Sequence, residues 1–169
     1  VLLTGGEPML RKDFAEIYLG LRRLGLMVSV NTNASLVTDE IISVFKQSPP
    51  ARVNVTLYGS NERTYDSLCG VRFCETVKNN IIKLKNAGIN VKINATINPY
   101  NASDIDDIFA FGEENNISVY TSFRLRHKIL LALKKYVKRL ILFALISEIP
   151  FNLVVANSVF YPLHQNVLW

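Results

Sequence analysis

The first ten residues, VLLTGGEPML, place two glycines, an acid and a proline directly after a short apolar run. Gly5 and Gly6 let the backbone adopt a positive φ or approach a ligand closely, and Pro8 ends strand character. Exposed amides beside the Glu7 carboxylate suit the amino-acid end of a small charged ligand, with Glu7 or a nearby carbonyl facing its ammonium group. The alternative is an ordinary turn between a strand and a helix that carries a solvated acid.

Four later apolar runs are also followed by polar stretches. These are Asn31 to Asn33, Thr56 to Gly59, Asn94 to Asn98 and Thr121 to Arg124. In a parallel sheet with right-handed crossovers, the carboxyl ends of the strands lie at one rim, where ligands bind. We therefore expect these stretches to lie at the same rim as the GGEP segment.

The elements that must position these residues are short strands that alternate with helices over residues 1–125. The predicted strands are 1–4, 27–33, 52–58, 90–97 and 118–125, and the predicted helices are 13–25, 38–47, about 74–87 and 103–116. Thr38 and Ser103 each offer a capping hydroxyl to a helix. The first helix is expected to bury a face made of Phe14, Ile17, Tyr18, Leu21 and Leu24. The alternation predicts an α/β fold with a parallel sheet, whose longest connection lies between residues 58 and 74.

The composition predicts one domain, or part of a larger one, because 169 residues with 49% hydrophobic content can form a core. The formal net charge of +5 is unevenly distributed: residues 1–125 carry 13 basic and 13 acidic side chains, so the excess lies in residues 126–169. That last segment also contains no glycine. We therefore expect a boundary near Leu125 and no nucleic-acid partner.

The two cysteines, Cys69 and Cys74, are too few for a disulfide-stabilised scaffold, so we expect a reduced, cytoplasmic protein. The longest apolar run in the last segment covers residues 140–146. Since a membrane-spanning helix needs about 20 apolar residues, we expect no transmembrane span.

Four segments in order, TGGEP, NTNA, LYGSNERTYDSL and LKNAGINVKINATI, carry a family likeness over about residues 1–125. Together they resemble the radical S-adenosylmethionine (radical SAM) superfamily, especially its peptide- and sulfatase-maturase-like (SPASM-type) branch. The resemblance implies a partial TIM-like (β/α)6 barrel, in which VLLT is the second strand and the first strand lies before Val1. It also implies reductive cleavage of S-adenosylmethionine by a [4Fe-4S] cluster and hydrogen abstraction from a peptide, protein or small molecule by a 5′-deoxyadenosyl radical.

The resemblance also implies a cofactor site. The backbone of Gly5 and Gly6 and the carboxylate of Glu7 would contact the methionine amino group, and Thr56 would contact the ribose or the methionyl part. Asn94 and Thr96 would face the cavity or the barrel interior, depending on the strand register. The full set implied is Gly5, Gly6, Glu7, Pro8, Asn31, Asn33, Thr56, Asn94, Thr96 and Phe123, the last through its backbone beside the adenine. Arg72 is the nearest guanidinium to the position where several branches bind the cofactor carboxylate.

The cluster ligands implied by the resemblance are three cysteines spaced Cys-x3-Cys-x2-Cys, which we expect before Val1. Cys69 and Cys74 cannot replace them, because they are separated by four residues and no third cysteine is present. We interpret Cys69 as a loop thiol and Cys74 as a thiol at the start of a helix. The chain alone is therefore expected to be inactive.

Other readings of the chain stay open. It can be a non-catalytic remnant or binding module that keeps the barrel surface, or an ordinary barrel enzyme that uses Glu7 as acid or base. Residues 126–169 can be out of frame or replaced, or can form an amphipathic basic helix from about Lys128 to Ser147. Such a helix would dock on a membrane surface or a partner, or cover an open barrel edge. His127 and His164 are expected to be surface residues.

Overall fold

A five-stranded parallel sheet organises the chain in the computed structural model, which describes residues 1–121. The strands are β1 (Leu2–Leu3), β2 (Ser29–Thr32), β3 (Arg52–Thr56), β4 (Val91–Ala95) and β5 (Ser118–Thr121), and they lie side by side in chain order. All five predicted strands are present, and the first four are shorter than predicted. Residues 122–125 of the last predicted strand, the segment 126–169 with its predicted helix, and both histidines lie outside the described residues.

Within residues 1–121, five α-helices connect these strands. They are α1 (Phe14–Arg23), α2 (Asp39–Gln47), α3 (Glu62–Cys69), α4 (Cys74–Asn86) and α5 (Ile105–Glu114), with 3-10 turns at Pro8–Leu10 and Ala102–Asp104. The predicted cap at Thr38 is confirmed, since its hydroxyl accepts a hydrogen bond from the Ile41 amide at 3.3 Å. The predicted cap at Ser103 is wrong, because that residue lies inside a 3-10 turn and its hydroxyl bonds to Asp104 instead.

Helix α3 was not predicted, and it fills most of the long connection between residues 58 and 74. Asn61 caps it by accepting a hydrogen bond from the Thr64 amide at 3.0 Å, and Gly70 ends it with φ of 66°. Among residues 1–121, no helix combines the length and the hydropathy that crossing a bilayer requires.

Helices α1 to α5 lie on one face of the sheet, as right-handed crossovers between sequential strands require. Val53, Val55 and Leu57 of β3 and the turn after it point to this face and are fully buried. The core between sheet and helices contains Tyr18 and Phe45, whose ring centroids are 5.1 Å apart. The predicted buried face of α1 is only partly right: Phe14 and Tyr18 are buried, whereas Ile17 is 37% and Leu24 75% exposed.

The opposite face of the sheet is polar, and we call it the polar face. Its polar residues are Ser29, Asn31, Arg52, Asn54, Thr56, Lys92, Asn94, Ser118 and Tyr120, and the exposed Leu2 of β1 lies beside Ser29 on the same face. These polar residues alternate with the buried ones along each strand and are half-buried, apart from the exposed Ser118. Because parallel strands are normally apolar on both faces, a polar second face indicates a surface that contacts solvent or a ligand.

Candidate functional site

The turn after β1 is fastened to the turn after β2 by the carboxylate of Glu7. Its Oε1 accepts hydrogen bonds from the Thr32 hydroxyl at 2.8 Å and from the Met9 amide at 3.1 Å. Its Oε2 accepts one from the Asn33 amide at 2.7 Å. We call this set of three hydrogen bonds the Glu7 clasp. A carboxylate has about four acceptor positions, so the clasp leaves Glu7 capacity for about one further donor.

The two glycines before the clasp are exposed and face open space. Gly5 has φ of 107°, a conformation that favours glycine, whereas Gly6 does not require a positive φ. A Cβ atom built on either glycine would meet no atom within 4 Å. Pro8 begins the 3-10 turn that Glu7 caps, consistent with its predicted role of ending the strand. The result is an open turn with accessible backbone, held in place from behind by Glu7.

The side chain of Asn33 forms hydrogen bonds within the turn after β2 and so helps to fix the shape of the rim. Its side-chain oxygen accepts hydrogen bonds from the amide and the hydroxyl of Ser35, at 2.8 and 2.7 Å. The next residue, Ala34, is fully buried with φ of 57°. Its carbonyl accepts a hydrogen bond from Asn80 of α4 at 2.8 Å. The turn after β2 is therefore fixed both by its own side chains and by α4.

The remaining predicted residues of the rim fall into two groups. Asn31 lies on the polar face, where its side-chain oxygen accepts a hydrogen bond from Asn54 at 2.7 Å. Thr56 and Asn94 are register partners on neighbouring strands of the same face, which settles the register of Asn94. Thr96 instead follows the end of β4 and is exposed. Phe123 lies outside the described residues.

Two buried polar residues that sequence analysis missed hold the turn after β3. Asn101 is fully buried, and its side-chain Nδ2 donates to the backbone carbonyl of Tyr58 at 2.8 Å and to the backbone carbonyl of Thr96 at 3.0 Å. Asp104 accepts a hydrogen bond from the Ser60 amide at 2.7 Å. Burial raises the pKa of Asp104, but hydrogen bonds from Ser60, Thr64 and Ser103 outweigh it, so the net pKa lies below its ordinary value. The ends of β3 and β4 are thus tied together.

Neither cysteine fits an iron ligand. Cys69 is the exposed last residue of α3, not the loop thiol that was predicted, whereas Cys74 is buried at the start of α4 as predicted. Burial raises the pKa of Cys74 to about 11 and also raises the pKa of Cys69. Over residues 1–121, no group of three His, Cys, Asp or Glu side chains is arranged to hold a metal ion. We derive no cluster chemistry from these residues.

Arg72 is exposed, and its Nε lies 3.6 Å from an Asp66 carboxylate oxygen at the end of α3. That contact gives the guanidinium a partner within the chain. The geometry therefore adds nothing in favour of the predicted carboxylate-binding role.

The polar face contains residues that sequence analysis did not single out, namely Arg52, Asn54, Lys92 and Tyr120. A signal for them was present, because RVNVT and VKINA alternate apolar and polar residues strictly. That alternation is unusual for central strands of a parallel sheet, and it predicts a polar second face.

The profile of the Radical SAM superfamily matches residues 1–112 of this chain. An AdoMet-dependent heme synthase of Methanosarcina barkeri is 31% identical over 124 residues, which are 73% of this chain and 36% of that protein. A probable GTP 3′,8-cyclase of Sulfolobus acidocaldarius is 33% identical over 119 residues, 69% of this chain and 38% of that protein. The chain thus spans less than two fifths of the length of these relatives.

Solved structures show the same fold. Streptococcus suis SuiB bound to S-adenosylmethionine aligns with a TM-score of 0.63 and 22% identity, over 72% of this chain and 29% of SuiB. The enzyme anSMEcpe with bound AdoMet and a peptide aligns with a TM-score of 0.60 and 17% identity, over 71% of this chain and 36% of anSMEcpe. These alignments confirm the predicted α/β fold of partial-barrel type. With the match to the family profile and the 31–33% identity to two relatives, they lead to one conclusion: the chain belongs to the radical SAM superfamily.

Proposed function

We propose that this chain provides the S-adenosylmethionine-binding part of a radical SAM enzyme. The observation that carries the proposal is the Glu7 clasp, which holds an open Gly5-Gly6 turn at the carboxyl end of β1 beside the polar face. Family membership supports the choice of cofactor. The open backbone of this turn suits the amino-acid end of the cofactor, and the half-buried amides and hydroxyl of the polar face suit its polar ribose and methionyl atoms.

The proposed roles follow from the position of each residue. The backbone of Gly5 and Gly6 receives the cofactor amino group, with Pro8 and Glu7 fixing the turn and Glu7 offering its remaining acceptor position. Asn31, Thr56 and Asn94 contact the cofactor from the upper part of the polar face. Asn33 and Thr96 border the site at the rim, and Phe123 stays a prediction.

Bound S-adenosylmethionine supplies the carbon–sulfur bond whose reductive cleavage begins radical chemistry in this superfamily. The chain's own residues bind and orient the cofactor at the rim. A [4Fe-4S] cluster would be held by cysteines of a longer protein on a Cys-x3-Cys-x2-Cys loop, so the 169 residues alone are expected to be inactive.

A peptide is one substrate class for the proposed enzyme, since SuiB has been solved with its precursor peptide SuiA and anSMEcpe with a peptide. The names of the heme synthase and the GTP cyclase indicate small-molecule substrates for those relatives. We also propose that the enzyme belongs to the SPASM-type branch and that it is cytoplasmic.

Isothermal titration calorimetry of the 169-residue chain tests the cofactor site. We expect S-adenosylmethionine to bind more tightly than 5′-methylthioadenosine, which lacks the amino-acid end. Glu7→Gln should weaken the first ligand and leave the second nearly unchanged. Glu16→Gln, on the exposed part of α1, is the matched control. Equal binding of both ligands, or equal effects of the two substitutions, would contradict the proposed contact with the amino group.

The second candidate is a non-catalytic remnant or binding module, and the observation on its side is that Cys69 and Cys74 belong to no metal-binding group within residues 1–121. Reading the gene upstream of the codon for Val1 separates the two candidates. An in-frame Cys-x3-Cys-x2-Cys within about 30 residues supports the enzyme, and an intact start codon without that motif supports the module. Anaerobic reconstitution with iron and sulfide provides a second test. A stoichiometric [4Fe-4S] absorption band from these 169 residues would disprove our assignment of Cys69 and Cys74.

A further inference from the structure

We propose that Arg52 and Lys92 form an oxyanion-binding subsite on the polar face, which takes a carboxylate or phosphate group of the substrate. The inference rests on the proposed function only in assigning this group to the substrate of an S-adenosylmethionine-dependent enzyme. The subsite itself is argued from charge, burial and strand register.

Charge on the polar face is one-sided. Arg52 and Lys92 are the charged side chains among its residues in the described part of the chain, and both are cations. The ion pairs found within residues 1–121 join Arg11 to Asp13, Arg72 to Asp66 and Lys78 to Glu75, so they include neither residue. The carboxylate of Glu7 lies at the rim, where it accepts the three hydrogen bonds of the clasp. Two half-buried cations with no counter-charge among residues 1–121 favour the binding of an anion.

Arg52 has an unsatisfied hydrogen-bond donor. Its Nε is buried and has no hydrogen-bond partner. Leaving a buried donor of a charged group unsatisfied is costly, and the planar guanidinium matches the geometry of carboxylate or phosphate oxygens. Arg52 lies at the start of β3 beside Ser29 of β2, so an oxyanion there would be flanked by a hydroxyl as well.

Lys92 is held in place but not neutralised. Its Nζ donates to the Tyr120 hydroxyl at 3.0 Å and lies 4.8 Å from the centre of the Tyr120 ring. An ammonium group has three donors, so this contact fixes its direction and leaves donors for a ligand. Lys92 pairs in register with Asn54, two residues beyond Arg52 on the adjacent strand. The two cations are therefore diagonal neighbours on one surface.

Arg52 lies deeper on the polar face than any of the proposed cofactor contacts, whereas Lys92 lies at the level of Asn31. Arg52 precedes Thr56 at the end of β3 by four residues, and a strand rises about 3.3 Å per residue, so Arg52 starts about 13 Å below the rim. The level of Lys92 is about 7 Å below the rim by the same measure. The geometry thus fits a substrate whose anionic group lies about 7 to 13 Å from its part at the rim.

The test is NMR of the whole 169-residue chain with a labelled arginine Nε, titrated with methyl phosphate or acetate against sodium chloride of equal ionic strength. We expect a saturable shift of the Arg52 signal with at least one oxyanion. A preference for methyl phosphate would support a phosphorylated substrate and a preference for acetate a carboxylic acid. No saturable shift beyond that seen with chloride would overturn the subsite.

Variants then test which residues bind. Backbone amide shifts of β3 and β4 report binding in every variant, including Arg52→Gln, which lacks the Arg52 Nε signal. Arg52→Gln and Lys92→Gln should each weaken oxyanion binding about tenfold, the loss of one hydrogen bond to a charged group. Arg63→Gln and Lys46→Gln, exposed cations on α3 and α2, are matched controls that should bind as the parent chain does. Equal affinity in all four variants would disprove the assignment. The signal of the unaltered chain remains informative even where a variant fails to fold.

Competition separates this proposal from the cofactor site. Saturating S-adenosylmethionine should leave the Arg52 titration unchanged, and Glu7→Gln should weaken S-adenosylmethionine without changing oxyanion affinity. Displacement of the oxyanion by S-adenosylmethionine would refute a separate subsite, because the cations would then serve the cofactor carboxylate. Oxyanion binding without any S-adenosylmethionine binding would refute the cofactor site alone.

Discussion

Replacing Glu7 by Gln tests whether the clasp fixes the rim. Glutamine keeps the shape of the side chain but replaces one acceptor oxygen with an NH2 group. In one orientation of the glutamine side chain its NH2 group faces the backbone N–H of Asn33, and in the other orientation it faces the backbone N–H of Met9. In both cases one backbone donor faces another donor instead of an acceptor. Losing one such hydrogen bond to a charged group, with its donor left half-buried, costs about 1–3 kcal/mol.

Urea unfolding followed by circular dichroism measures this loss. With an m-value of about 2 kcal/mol per M, a loss of about 2 kcal/mol lowers the unfolding midpoint by roughly 1 M. Glu16→Gln on the exposed surface of α1 should stay within about 0.5 kcal/mol of the parent chain. Amide hydrogen exchange adds a local reading, because the Asn33 amide should exchange faster in the Glu7 variant while amides of β4 keep their protection relative to global unfolding.

If Glu7→Gln unfolds at the same urea concentration as Glu16→Gln, and the Asn33 amide exchanges at its parental rate, the clasp does not hold the turn. An open Gly5-Gly6 turn would then have no fixed position relative to the polar face. The proposed cofactor site would lose its main support.

Three further predictions follow from the packing of the rim. Gly59→Ala should destabilise the fold by about 1–3 kcal/mol in urea unfolding, because the added Cβ would lie 2.5 Å from Thr64 Cγ2. Gly20→Ala on α1 is the control: its added Cβ would meet no atom within 4 Å, so it should stabilise the fold by about 0.5–1 kcal/mol. The folded pKa of Asp104 is lowered from 3.8, so the ionised carboxylate contributes to stability above about pH 4, and this contribution is lost as the pH falls through the folded pKa. Asp104→Asn should therefore make the free energy of unfolding depend less on pH below pH 4. Iodoacetamide at pH 8 should modify the exposed Cys69 and spare the buried Cys74, and equal labelling of both thiols in the native state would contradict the position of Cys74.

Local patterns in the sequence predict much of this fold. Apolar runs locate all five strands, and the hydroxyl of Thr38 marks the start of α2. Helix α3 was missed because its sequence, ERTYDSLC, has no continuous apolar stripe and buries mainly Thr64 and Tyr65. It is stabilised by the Asn61 cap and the Gly70 end, which are signals of boundaries rather than of periodicity.

The candidate site is less accessible to sequence analysis, because its contacts join residues far apart in the chain. The turn that carries Glu7 was predictable, but the direction of its carboxylate depends on Thr32 and Asn33, which lie more than 20 residues away. Asn101 looks like an ordinary loop residue until the ends of β3 and β4 are placed around it. The outcome for Ser103 shows the same limit, since a 3-10 turn moved the start of α5 past the predicted cap.

The alternation of apolar and polar residues along β3 determines which side chains enter the core and which lie on the polar face. Val53 and Val55 are buried beneath the helices, while Arg52 and Thr56 point to the other side. A slip of one residue would bury a guanidinium in the core and expose two valines, so burial of the valines fixes the register. The positions of Thr56 beside Asn94 and of Arg52 near Lys92 are therefore set by the same free energy that forms the core. Substitutions that loosen the packing around Val55 are expected to disturb ligand contacts on the opposite face, although they touch no ligand themselves.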